Sequence, residues 1–244
     1  MSTRDEILAE LGLVPRWQRR TVALNAEPAP VTTTADAPAL PPQIADAAAR
    51  LVRIAGLDWR ALATDIEACV ACGLCRTRNR TVPGVGAMDA DWLFVGEAPG
   101  AEEDARGEPF VGQAGRLLDS MLSALAMTRT RKVFIANVLK CRPPNNRAPE
   151  PAEAAACKPY LERQIELLRP RIIVALGRSA ANLLLGVEAT IASLRGRVHQ
   201  YQGVPLIVTY HPAYLLRNLP DKAKAWEDLV LARKTIAGNA DLPK

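Results

Sequence analysis

DWLFVGEAPG, residues 91–100, opens as a run of large apolar side chains and closes as a polar loop rich in Gly and Pro. A short apolar run bounded by turn residues has the signature of a buried strand. Three more follow: KVFIANV (132–138), RIIVALG (171–177) and PLIVTYH (205–211). Between them, AGRLLDSMLSALAM, EPAEAAACKPYLERQIELL and SAANLLLG repeat their apolar residues at three and four, and AKAWEDLVLARKTIA ends the chain's last periodic segment in the same way. Strand followed by helix, repeated, predicts an α/β fold: three layers, α/β/α, around a central four-stranded parallel sheet. In such sheets ligands bind beyond the carboxyl ends of the strands. The chemistry is therefore expected in GEAPGAEEDARGEPFVG, NVLKCRPPNNR, GRSAA and HPAYLLRN.

The 244 residues, 49% of them apolar, suffice for one large domain with appendages. No apolar run reaches the roughly 18 residues of a membrane span. The net charge of +5 favours polyanionic partners, though weakly. Residues 1–22 join a short amphipathic helical pattern (Ile7, Leu8, Leu11, Leu13) to the basic string PRWQRR. Residues 23–43, rich in Pro, Ala and Thr, read as a disordered linker. The domain is expected over 44–244, beginning with a helix from about Ile44 to Ile54.

Five cysteines are too few for a secreted disulfide scaffold, and the first residues lack the apolar core of a signal peptide. A reducing cytoplasm is the expectation. Three cysteines fall in CVACGLC (69–75), and Cys141 and Cys157 lie far downstream. A Cys-x2-Cys step with two distant cysteines reads as a metal site, either structural zinc or an iron–sulfur cluster, and spacing does not choose between them.

GEAPGAEED, GEPFVGQAG, NVLKCRPPNNRAP and YHPAYLLRN, in that order, resemble the motif series of the family 4 uracil-DNA glycosylases, the iron–sulfur branch of that superfamily. The likeness runs from about Cys69 to the last helix. It implies a [4Fe-4S] cluster on Cys69, Cys72, Cys141 and Cys157, structural rather than redox-active, with Cys75 left as a packing residue.

The resemblance also implies a pocket for a base flipped out of DNA, an extrusion that costs a few kcal/mol. Phe110 matches the stacking residue, Gly96 and Ala98 fall in the substrate-binding first motif, and Glu103 matches the wall that excludes thymine's methyl group. Asn137 ends a strand with an amide that can donate to uracil O4 and accept from N3–H, where cytosine presents the opposite pattern. His211 matches the donor to uracil O2 that stabilises the departing anionic base. His199 is expected at the surface of a hairpin. The best-known members carry an Asp where this chain has Ala98, so Glu97 becomes the expected group for water positioning. Glu102 and Asp104 are read as a solvated acidic loop.

DNA contacts are expected from Arg147, from Arg178 and Ser179 at a helix start, and from Leu215 as a wedge with Arg217 beside it. Residues 1–22 resemble the peptide by which the psi subunit of the bacterial DNA polymerase III clamp loader engages the chi subunit, which implies chi as a partner. A monomer is expected. The alternatives are a non-catalytic DNA-binding or replisome module on the same fold, a glycosylase for another deaminated base or a relative that traps the sugar covalently, and an unrelated zinc-stabilised α/β enzyme.

Overall fold

The computed structural model describes residues 42–238; the expectations for residues 1–41 lie outside the described residues. The first helix, α1 (Pro42–Ala55), starts two residues before the expected Ile44. It is followed by α2 (Trp59–Glu67), whose N-cap Asp58 accepts from the Ala61 N–H at 2.8 Å.

Four parallel strands form the centre of the sheet: β2 (Trp92–Gly96), β3 (Val133–Asn137), β4 (Ile172–Leu176) and β6 (Val204–Thr209). The sheet is wider than the expected four strands. Two antiparallel edges, β1 (Val85–Gly86) and β5 (Val198–Tyr201), complete the order β1-β3-β2-β4-β6-β5. Neither edge has the long apolar run that marks a buried strand. β1 is only two residues long, and β5 alternates exposed and half-buried side chains. The β5–β6 hairpin turns on Gln202 and Gly203, both at positive φ, the geometry that two-residue hairpins favour. His199 lies on β5, half-buried, with Nε2 2.7 Å from the Leu194 carbonyl.

Alternation along the strands sends side chains to two cores. Leu93, Val95, Phe134, Ala136, Ile173, Ala175, Leu206 and Val208 face α5 (Pro151–Leu168), α6 (Arg178–Leu185) and the short α7 (Ile191–Leu194). Phe94, Val133, Ile135, Val174, Leu176 and Ile207 face α4 (Gln113–Ala124) and α9 (Asp221–Gly238). The three expected layers are present. The short α3 (Ala101–Arg106) and α8 (Pro212–Leu215) stand in the loops beyond β2 and β6.

Register aligns the strand ends. Gly96 of β2 lies opposite Asn137 of β3, and Leu176 of β4 opposite Thr209 of β6. The loops carrying Glu97, Asn137, Arg178 and His211 therefore leave the sheet at one edge.

Candidate active site

At that edge is a cleft of about 530 Å³, within the range of small-molecule sites, lined by Glu97, Ala98, Glu103, Phe110, Asn137 and His211. Residues separated by more than a hundred positions in sequence meet there because the parallel strands end together.

Phe110 is buried, and its ring stacks on that of His211, centroids 5.4 Å apart at 28°. Its backbone sits at φ 55°, uncommon for a bulky residue, so the surroundings must hold it. Arg129 does this by donating to the Pro109 carbonyl at 2.8 Å and to the Phe110 carbonyl, while its Nε meets Asp119 at 2.6 Å. Gly96 and Gly115 make room for the loop. A Cβ on Gly96 would collide with Asn137 Oδ1 and would lie 2.8 Å from the Phe110 ring; one on Gly115 would collide with the Phe110 carbonyl. Arg129 carries no motif signal in the sequence, because its role depends on a loop geometry that no spacing records.

Asn137 is buried at the end of β3. Its strand end is fixed by the Val138 N–H donating to the Gly96 carbonyl at 2.9 Å and by Lys140 Nζ donating to the Asn137 carbonyl at 2.7 Å.

His211 caps α8. Its Nδ1 accepts the Ala213 N–H at 3.1 Å, so in the neutral ring the proton sits on Nε2. Burial holds the imidazole pKa down to about 4, with Glu103 opposing and Arg217 reinforcing that shift. At neutral pH the ring is an uncharged donor.

Glu97 is half-buried. Burial pushes its pKa above the ordinary carboxylate value, against a hydrogen bond from Ser179 and the charge of Arg178. Glu103 lines the cleft with both oxygens engaged, accepting from the Gly100 N–H at 3.1 Å and the Val111 N–H at 3.0 Å. It staples the two loops that flank Phe110. Ala98 lines the cleft and also packs on the apolar cluster around Leu139, Cys141 and Cys157. Of the acidic loop, Glu102 is exposed as expected. Asp104 is not; it is 1% exposed and accepts from the Asn79 N–H, the Asn79 side chain and the Arg80 N–H.

The expected DNA contacts divide. Arg178 and Arg217 are exposed; Arg217 lines the cleft, and Arg178 is close enough to Glu97 for its charge to act on that carboxylate. Arg147 lines it too, but its guanidinium is taken up by Glu153 at 2.6 and 2.9 Å. Ser179 is turned to Glu97, so a carboxylate faces the start of α6. Leu215 is 1% exposed and packs with Tyr210 and Ala225, which removes it as a wedge in this conformation. The adjacent Leu216, 39% exposed, and Leu219, 60%, are the apolar side chains available. The helical turn of α8 points consecutive leucines in different directions, which the sequence order does not reveal.

Cys69, Cys72, Cys75, Cys141 and Cys157 line one small cavity between α2, the turn Gly73–Arg76 and α5. Burial pushes the Cys157 thiol up to about 12 and raises Cys72 and Cys141. Cys69 is lowered, because Tyr160, the Ala71 backbone and Arg50 outweigh its burial. A bound metal is what would let the other three shed their protons. Donors already face the sulfurs: Arg78 to Cys141 Sγ at 3.1 Å, the Lys140 N–H to Cys157 Sγ at 3.3 Å, and Arg50 to Cys69 Sγ at 4.0 Å. Among the described residues no group of three or more His, Cys, Asp or Glu is set to hold a single metal ion.

The Uracil DNA glycosylase superfamily profile matches residues 83–230, which take in the whole sheet and every cleft residue. The chain belongs to that superfamily. It is 47% identical over 160 residues to the type-4 uracil-DNA glycosylase of Archaeoglobus fulgidus, covering 62% of this chain and 80% of that protein. Against the type-4 enzyme of Pyrobaculum aerophilum it is 45% identical over 183 residues, 72% of this chain and 93% of that protein. A type-5 uracil-DNA glycosylase of the same organism is 34% identical over 156 residues, 57% of this chain and 69% of that protein. Within the superfamily, this chain is a member of the type-4 uracil-DNA glycosylase family.

Proposed function

We propose that this chain excises uracil from DNA by hydrolysing its N-glycosidic bond, the first step of base excision repair. The observation that carries the proposal is the meeting of a neutral Nε2–H donor on His211, the Phe110 ring and the Asn137 amide in one cleft. The flipped base stacks on Phe110. Asn137 donates to O4 and accepts from N3–H. As the bond from C1′ to N1 breaks, its electron pair leaves with the base, and negative charge grows at O2, where His211 donates. A preorganised donor at developing charge commonly supplies the largest share of rate. Water attacks the cationic sugar carbon from the other side, oriented by Glu97, which takes its proton.

Outside the pocket, Arg178 and Arg217 contact phosphates, and exposed Leu216 replaces Leu215 as the wedge that holds the vacated stack open. Cys69, Cys72, Cys141 and Cys157 would hold a [4Fe-4S] cluster. When bound, it ties α2 and the 69–78 segment to α5 and the loop after β3, and it transfers no electrons in a hydrolysis. No helix among the described residues is long and apolar enough to cross a membrane. The likeness of residues 1–22 to the psi peptide supports docking on chi, and equal recovery by purified chi of the full chain and a chain lacking residues 1–22 would refute it.

The test is chromatography of bases released from oligonucleotides carrying one uracil, one cytosine or one thymine at the same position. Free uracil and an alkali-labile site from the first alone are expected. Release from none, or from all three alike, would overturn the reading.

A further inference from the structure

Lys140 is 1% exposed, lines the cysteine cavity, and lies three residues past Asn137 of the cleft. Its backbone N–H donates to Cys157 Sγ at 3.3 Å, and Cys141 follows it directly. Its Nζ reaches the other way, to the Asn137 carbonyl at 2.7 Å and to Gln164 Oε1 at 2.7 Å. Gln164 is itself buried and clamps the Pro83 carbonyl with its Nε2 at 2.7 Å. Among the described residues no carboxylate pairs with Lys140, which lines the cysteine cavity together with Cys141 and Cys157. A buried cation is costly unless an anion balances it. Cysteines that a bound cluster would hold as thiolates lie on one side of Lys140, and the Asn137 carbonyl lies on the other.

We propose that Lys140 is a positioning residue: its buried Nζ, donating to the Asn137 carbonyl and to Gln164, holds the end of β3 and so aims the Asn137 amide at the base. This rests on the reading of Asn137 as the group that recognises uracil. It gives the cysteine cavity a route to the recognition residue, since the Lys140 backbone N–H bonds Cys157 and the Lys140 side chain bonds Asn137. The link is short because Lys140 and Cys141 follow closely on Asn137, the last residue of β3.

Lys140→Met keeps most of the volume and removes the donors. The test is a cycle of wild type, Lys140→Met, Asn137→Ala and the double variant, read by single-turnover uracil release. Two further readouts are iron per chain and affinity for DNA carrying an abasic-site analogue, which offers Asn137 no base. The expected result is a fall of about 10- to 100-fold in Lys140→Met, with iron content and abasic-analogue affinity unchanged and no further fall in the double variant relative to Asn137→Ala. Should Lys140→Met lose iron or fail to fold, Lys140→Gln decides by the same cycle, because it removes the ammonium from the Asn137 carbonyl while keeping a polar end that can pair with Gln164. A wild-type rate in the deciding variant, or an undiminished fall when Asn137 is already Ala, overturns the inference. If the wild type itself releases no uracil, it is the glycosylase reading that has failed.

Discussion

The Phe110 and His211 rings, drawn from loops after β2 and β6, lie 5.4 Å apart at 28°. The residue that would stack on a base and the residue that would take its charge thus form one wall. Removing the aromatic face by Phe110→Ala should cost about 1–3 kcal/mol of base stacking, or about 5- to 150-fold in kcat/KM. Single-turnover kinetics on a uracil oligonucleotide measure it, and Phe110→Leu, which keeps bulk without a π face, should recover only part.

The two titrating groups of the cleft separate by pH. His211, at about 4, stays neutral down to that value, so it cannot produce a fall in rate above about pH 5. Glu97, raised by burial, loses its negative charge first as pH drops. The acid limb of kcat/KM should therefore vanish in Glu97→Gln, alongside a rate loss of about 100-fold or more. The stability effect of His211 runs the same way. Unfolded chains take up its proton near 6.5, folded ones only near 4, so stability should fall as pH drops through that window and less so in His211→Gln. Urea unfolding at several pH values checks it.

Asn137→Asp leaves a side chain that only accepts when ionised. It loses the donor to O4 and repels it, so uracil release should fall by about 100-fold or more, while the preference for uracil over cytosine narrows. Competition between oligonucleotides carrying each base reads both effects.

Gly115→Ala forces a methyl group against the Phe110 carbonyl. Overpacking of this kind costs about 1–3 kcal/mol. Thermal unfolding should show the loss, and the rate on uracil should fall with it, because the strained Phe110 backbone is what must move.

The sheet centre was legible because fully buried parallel strands write themselves as apolar runs, and WLFVG, VFIAN, IIVAL and VPLIVT all do. Strand ends then pointed to the loops that hold Glu97, Asn137 and His211, and the resemblance to the family singled those residues out. The edges were not legible: β1 is two residues long, and β5 has no apolar run. Leu215 and Leu216 show a second limit. Adjacent apolar residues in a one-turn helix differ in burial by their angle around it, which a motif does not specify. Asp104 shows a third, since a carboxylate among acidic neighbours gives no sign that Asn79 and Arg80 will fold over it.

The decisive measurement is uracil release from a single-uracil oligonucleotide by the full chain, with Asn137→Ala and His211→Ala alongside. The wild type should release uracil, with a fall on the order of 100- to 1,000-fold in His211→Ala and Asn137→Ala also strongly reduced. A wild type that binds the uracil oligonucleotide yet releases nothing would contradict the glycosylase reading and leave a DNA-binding module on a glycosylase fold.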